Sequence, residues 1–133
     1  MRNWKILAIF LAAAFILSIP VLSGCNLSEW AHPYAENVLV SLNNEDYAGF
    51  AKDFDASLAA ELPGESFPSI LNSTVGAWGK YIEGSKKMKS YNFENGITRI
   101  EYTCKFENND NVYYGLTFQK INDVQKIIGI KLE

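Results

Sequence analysis

The chain has 133 residues, 12 of them basic and 15 acidic, and a single histidine. All 15 acidic residues follow Cys25, whereas Arg2 and Lys5 precede it, so the part after Gly24 carries a net charge of −5. That balance excludes a phosphate-binding surface built from clustered Lys and Arg and a polybasic grip on anionic lipid.

The first element is an export signal. Arg2 and Lys5 make a short positive region, and Ile6 to Leu22 is an uncharged apolar run broken only by Ser18 and Pro20. Small residues then lead to a cysteine, the tripartite order of a signal peptide. Leu22-Ser23-Gly24-Cys25 resembles the lipobox of prokaryotic lipoproteins at all four positions. The resemblance implies cleavage between Gly24 and Cys25 and a diacylglyceryl group on the Cys25 thiol. Two acyl chains make a stable anchor where one is marginal. The competing reading, an uncleaved membrane span, has a run of 17 residues at the lower limit of length and carries Pro20. The expected organisation is a signal peptide over 1–24, a lipidated tether over 25–29 and one domain over 30–133, held outside a prokaryotic cell membrane.

After the tether, Ala35, Val38, Leu39 and Leu42 recur at helical spacing and predict a first helix from Trp30 to Asn43-Asn44. Asn44 is the expected cap of a second helix, with Tyr47, Phe50, Ala51, Phe54 and Leu58 as its apolar stripe. Pro63-Gly64 ends it. Ser66 is the expected cap of a third helix, whose buried face is Phe67, Ile70, Leu71, Thr74 and Trp78.

Beyond Gly84 the apolar period falls to 2. Asn95-Gly96 is a type I′ hairpin signal and predicts Tyr91 opposite Ile100 and Lys89 opposite Tyr102. Ile100, Tyr102, Cys104 and Phe106 share the expected buried face. A three-residue turn at Asn108-Asn109-Asp110 would put Phe106 opposite Val112 and Tyr102 opposite Leu116. The last turn is Asn122-Asp123, and the register of the strand after it stays open because Ile127 blurs its facing. The predicted fold is α+β: three N-terminal helices packed on a curved four-stranded antiparallel meander, a cone with an open mouth.

The stretch from Asn44 to Asp55, with Tyr47, Gly49, Phe50 and Phe54, and then Gly79-Lys80-Tyr81, resembles a family of uncharacterised prokaryotic envelope domains. Those domains are similar to the nuclear transport factor 2-like cone fold. The resemblance covers about residues 30–133 and rests on packing and turn motifs, so it implies a fold and not an activity. Sheets of this fold often dimerise in relatives, which implies a homodimer as one arrangement to test.

Enzymes on the cone fold use an Asp base and acidic donors inside an apolar cavity. Asp53 and Asp55 flank the inward Phe54 and are expected on a solvated helix face. His32 is expected as a surface residue at the start of the first helix. Glu61 and Glu65 are expected as loop charges. No catalytic residue follows. Trp78, Tyr102 and Tyr114 are the candidate lining of a ligand cavity, although a filled core explains them equally well. Cys104 is expected as a buried, inert thiol. Lys80, Lys86, Lys87 and Lys89 read as a solvated strand edge, and Trp30 as a residue near the bilayer interface. No metal or cofactor is expected, since one His and one spare Cys cannot build a ligand cluster. Three functions remain open: a non-enzymatic module for a small apolar ligand, an envelope polymer or an envelope protein; an isomerase- or cyclase-like enzyme; and a scaffold whose cone is filled by its own Phe, Tyr and Ile.

Overall fold

The structure is a computed structural model in which residues 28–133 are described. The expected signal peptide, the cleavage site at Gly24 and the lipid site at Cys25 lie outside the described residues. The chain divides into two compact units at His32/Pro33. The described part of the first unit holds a 3-10 turn, Glu29–Ala31.

From Pro33 on, the second unit carries α1 (His32–Asn43), whose stripe Ala35, Val38, Leu39 and Leu42 is fully buried, as its spacing predicts. Short helices α2 (Tyr47–Phe50), α3 (Ala56–Glu61), α4 (Phe67–Ser73) and α5 (Val75–Trp78) follow. Strands β1 (Lys87–Glu94), β2 (Ile97–Phe106), β3 (Asn109–Ile121) and β4 (Val124–Leu132) then form one antiparallel sheet in chain order.

The expected second helix is split. Its apolar stripe is correct, but residues 53–55 are drawn out to pair with the edge of β4. The Ile127 N–H donates to the Asp53 carbonyl at 2.7 Å, and the Asp55 N–H donates to the Ile127 carbonyl at 3.0 Å. Two ladder bonds to a sheet edge replace the helical ones, and they cover backbone groups that would otherwise stay open. Each half then needs its own cap. Asp46, not Asn44, accepts from the Gly49 N–H at 3.1 Å, and Asp55 accepts from the Leu58 N–H at 2.9 Å. Gly49 is required on space: a Cβ there would stand 2.6 Å from Asp46 Oδ2 and 2.7 Å from Ser41 Oγ. The third helix also breaks, at the buried Thr74, whose hydroxyl donates back to the Ile70 carbonyl at 2.7 Å. Ser66 does not cap it; its hydroxyl donates to the Pro63 carbonyl instead.

Register departs from expectation at three bulges. Asn95-Gly96 turns with positive φ at both residues and sets Tyr91 opposite Ile100 as predicted. Lys89 is then an extra residue, so Met88 faces Tyr102 where Lys89 was expected. The second turn is the two-residue Glu107-Asn108, not a three-residue loop. Asp110 and Asn111 oppose Lys105 alone, which restores the parity and sets Cys104 opposite Val112 and Tyr102 opposite Tyr114. Ile128 is extra on β4, so Ile127 is the residue that faces inward, opposite Phe118. A bulge adds one residue, bends its strand and increases twist; the pairing rule for an unbroken ladder cannot foresee it.

Candidate functional site

The inward face of the sheet is built from Ile100, Tyr102, Cys104 and Phe106 on β2 and from Val112, Tyr114, Leu116 and Phe118 on β3. All are essentially buried. Tyr102 and Tyr114 stack across the strands with centroids 5.6 Å apart. The Tyr114 hydroxyl donates to the Ala35 carbonyl of α1 at 3.0 Å, which ties the first helix to the sheet. Trp78, at the end of α5, is partly exposed and meets the Phe106 ring edge-on at 5.2 Å. Tyr102 and Tyr114 are therefore inner-layer neighbours, while Trp78 touches that layer through Phe106. Among the described residues, no buried side-chain polar atom lacks a hydrogen-bond partner.

A polar cluster that periodicity did not flag closes one side of this layer. Glu36 on α1 accepts from the Tyr81 hydroxyl at 2.9 Å and from Lys86 Nζ at 3.1 Å on one oxygen, and from the Gly84 N–H at 3.1 Å on the other. Lys86 is only 10% exposed and lies over the Tyr102 ring at 5.3 Å from its centroid. It is thus not the solvated edge residue expected, although Lys87 and Lys89 are exposed. Asn43, two turns along α1 from Glu36, clamps the backbone of Tyr81: its amide donates to the Tyr81 carbonyl at 2.9 Å and its oxygen accepts from the Tyr81 N–H at 2.8 Å. The available signal was the polar pair Glu36 and Asn43 at i, i+7, beside the apolar stripe of α1. Residues 79–81 connect helix to sheet as the Gly79-Lys80-Tyr81 motif suggested. Gly79 has φ +82°, and a Cβ there would stand 2.7 Å from Glu107.

The electrostatics of the cluster follow from burial and pairing. Desolvation acts to raise the Glu36 pKa, but donation by Tyr81, Lys86 and Gly84 outweighs it, and the carboxyl sits below its ordinary value. Burial, with Glu36 alongside, pushes the Tyr81 phenol well up. Burial raises Tyr102 to about 12 and the Cys104 thiol to about 11. Full burial also raises Tyr114 well above the ordinary phenol value. Glu36 stays ionised and the phenols and thiol stay protonated across the neutral range.

Asp53 and Asp55 stand away from this layer. Asp55 is spent as a helix cap, and Asp53 lines an outer groove of about 330 Å³ with Pro33, Tyr34, Asn37 and Lys52. No group of three or more His, Cys, Asp or Glu that could hold a metal ion occurs among the described residues.

The outward face of the sheet carries a second arrangement. Glu101 accepts from the Ser90 hydroxyl at 2.8 Å and from the Tyr113 hydroxyl at 2.9 Å. Those bonds hold its carboxyl below the ordinary range and raise the Tyr113 phenol. The Tyr113 ring lies across Gly115, where a Cβ would come within 2.9 Å of its hydroxyl, and Lys131 stands 5.8 Å from the ring centroid. Gly115 and Gly129 contribute no side chain, which leaves a depression of about 230 Å³ rimmed by Arg99, Glu101, Tyr113, Thr117 and Lys131.

Comparison with known proteins places the chain. A family model described as a protein of unknown function (DUF3887) matches residues 35–130. An NTF2-like designed protein, Rd1NTF2_05 with five substitutions, superposes with a TM-score of 0.53 at 16% identity, covering 80% of this chain and 98% of that one. At that identity the likeness shows the fold alone. No curated protein matches the chain.

Proposed function

We propose, from the premise that the chain belongs to the DUF3887 family of unknown function, that it is a lipid-anchored extracytoplasmic module that binds an envelope protein and catalyses no reaction. The observation that carries the reading is the contrast between the two faces of the sheet. The inward face is occupied by its own aromatic side chains: Tyr114 bonds to α1 and stacks on Tyr102. The outward face presents Tyr113, whose hydroxyl donates to a Glu101 carboxylate that Ser90 also holds, beside a depression of about 230 Å³. That volume receives one large side chain and falls short of the usual range for a drug-sized ligand. Arg99, Glu101 and Lys131 on the rim offer both signs of charge to a partner.

Glu36 favours a second reading, an isomerase- or cyclase-like enzyme, because it brings a carboxylate to the edge of the tyrosine layer. A general base works best with a pKa near the working pH. Glu36 is lowered, and Tyr102 and Cys104 stand at about 12 and about 11. The binding reading is therefore preferred.

Photo-crosslinking in intact cells tests it. p-Benzoylphenylalanine at Thr117, on the depression, is expected to give a crosslinked species that the same group at the exposed Glu65 does not give. Equal yields from both positions, or none from either, would overturn the sheet-face reading. The mass of the product separates an envelope protein from a second copy of this chain.

A further inference from the structure

The geometry points to a membrane-facing end of the domain: the turns Asn95-Gly96 and Asn122-Asp123, with Phe93, Ile121 and Val124, rest in the headgroup layer of a lipid bilayer. This inference rests on the reading of Cys25 as a lipid anchor. Both turns lie at one end of the sheet, because Ile97 pairs with Gln119 and Ile121 pairs with Val124. Phe93 is 63% exposed, Val124 51% and Ile121 37%. The opposite end carries one such residue, Ile82 at 44%, and its turn and the bulge after it present Glu107, Asn108, Asp110 and Asn111 to solvent. Among the described residues, the two other large exposed apolar side chains, Ile82 and Met88, lie away from these turns, Ile82 bonded to Lys105 near the polar end and Met88 paired with Tyr102.

The course of the chain selects lipid as the occupant. Helix α1 runs along the sheet away from these turns. Its first turn is the nearer to them, with the Tyr34 ring 5.7 Å from Phe118, while its last residue, Asn43, holds Tyr81, which bridges to Phe106 near the polar end. The chain therefore comes into this unit at the apolar end. Seven residues lie between Cys25 and Pro33, and the eight steps reach at most about 29 Å when fully extended. The 13 residues of β3 span roughly 43 Å at 3.3 Å each. An anchor on a tether shorter than the sheet favours the end at which it joins. Apolar side chains on turns gain by leaving water there. Glu94 at the end of β1 and Asp123 in the second turn hold the contact at headgroup depth and out of the hydrocarbon.

The test uses the full chain carrying its lipid in phosphatidylcholine–phosphatidylglycerol vesicles. Nitroxide labels are placed at Phe93→Cys, Val124→Cys and, as the polar-end control, Asn111→Cys. Cys104 is buried and does not compete for label. The expected result is that labels at 93 and 124 gain oxygen accessibility and lose access to an aqueous nickel complex by several-fold relative to the label at 111. If mass spectrometry finds the lipid on Cys25 and all three labels behave alike, the oriented contact is wrong and the anchor stands. If Cys25 carries no lipid, the anchor reading falls and the oriented contact falls with it.

Discussion

Glu36→Gln is predicted to destabilise the domain more than Lys86→Met, although the two residues form one ion pair. Glu36 takes three donors, two on Oε1 and one on Oε2. A glutamine can offer its oxygen to only one of those two sides, and its NH2 then faces a donor on the other. Lys86, 10% exposed, is left with its charge uncompensated against Tyr102. Removing one partner of a buried pair costs about 3–5 kcal/mol, and an exposed pair contributes about 0–1 kcal/mol. With Glu36 29% exposed, the expected cost lies between, at about 2 kcal/mol. Lys86→Met keeps the apolar stem on Tyr102 and leaves Glu36 with Tyr81, Gly84 and water, for about 0.5–1 kcal/mol. Urea unfolding at about 1 kcal/mol per molar should thus shift its midpoint by about 2 M for the first variant and by under 1 M for the second. The double variant should lose less than the sum of the two, because the orphaned cation is gone. The pH dependence has a defined sign. The folded pKa of Glu36 is depressed below 4.5, so its contribution is present above that pH and is lost as pH falls through the lower folded value. The gap between wild type and Glu36→Gln should therefore close in acid. Equal costs for the two single variants, or a gap independent of pH, would refute the claim that Lys86 is held by Glu36 out of solvent.

Two further outcomes follow from single contacts. Gly49→Ala sets a methyl group 2.6 Å from Asp46 Oδ2 and 2.7 Å from Ser41 Oγ, which should cost about 1–3 kcal/mol in the same urea assay. Ser41→Ala should return part of that loss when combined with it. Tyr114→Phe removes a buried donor from the Ala35 carbonyl and nothing else. It should cost about 1 kcal/mol and lower Tm by about 4–8 °C, with near-ultraviolet circular dichroism of the aromatic layer largely kept. A Tm unchanged within 1 °C would mean that the hydroxyl does not tie α1 to the sheet.

Much of the fold was legible in the chain because it rests on local periodicity. The stripe of α1, the Asn95-Gly96 turn, the inward set on β2 and the burial of Cys104 each follow from spacing or from one residue's backbone freedom. The split of the second helix was not legible, since Phe54 satisfies a helical stripe and a strand bridge equally well. Only the open edge of β4, more than 70 residues away in sequence, decides between them. The three bulges escaped for a similar reason: Lys89, Ile128 and the Asp110–Asn111 pair are extra only with respect to a partner strand. The candidate site divides along the same line. The inward burial of Tyr102 and Tyr114 was legible because alternation places them there. The cluster of Glu36, Tyr81 and Lys86 was missed because its members stand 45 and 50 residues apart and each alone resembles a surface residue. Side-chain direction along an element is set by its own repeat, and so the sequence by itself determined which faces are buried. Which polar groups meet across elements depends on the packing of α1 against the bulged sheet, and only the tertiary structure decided that.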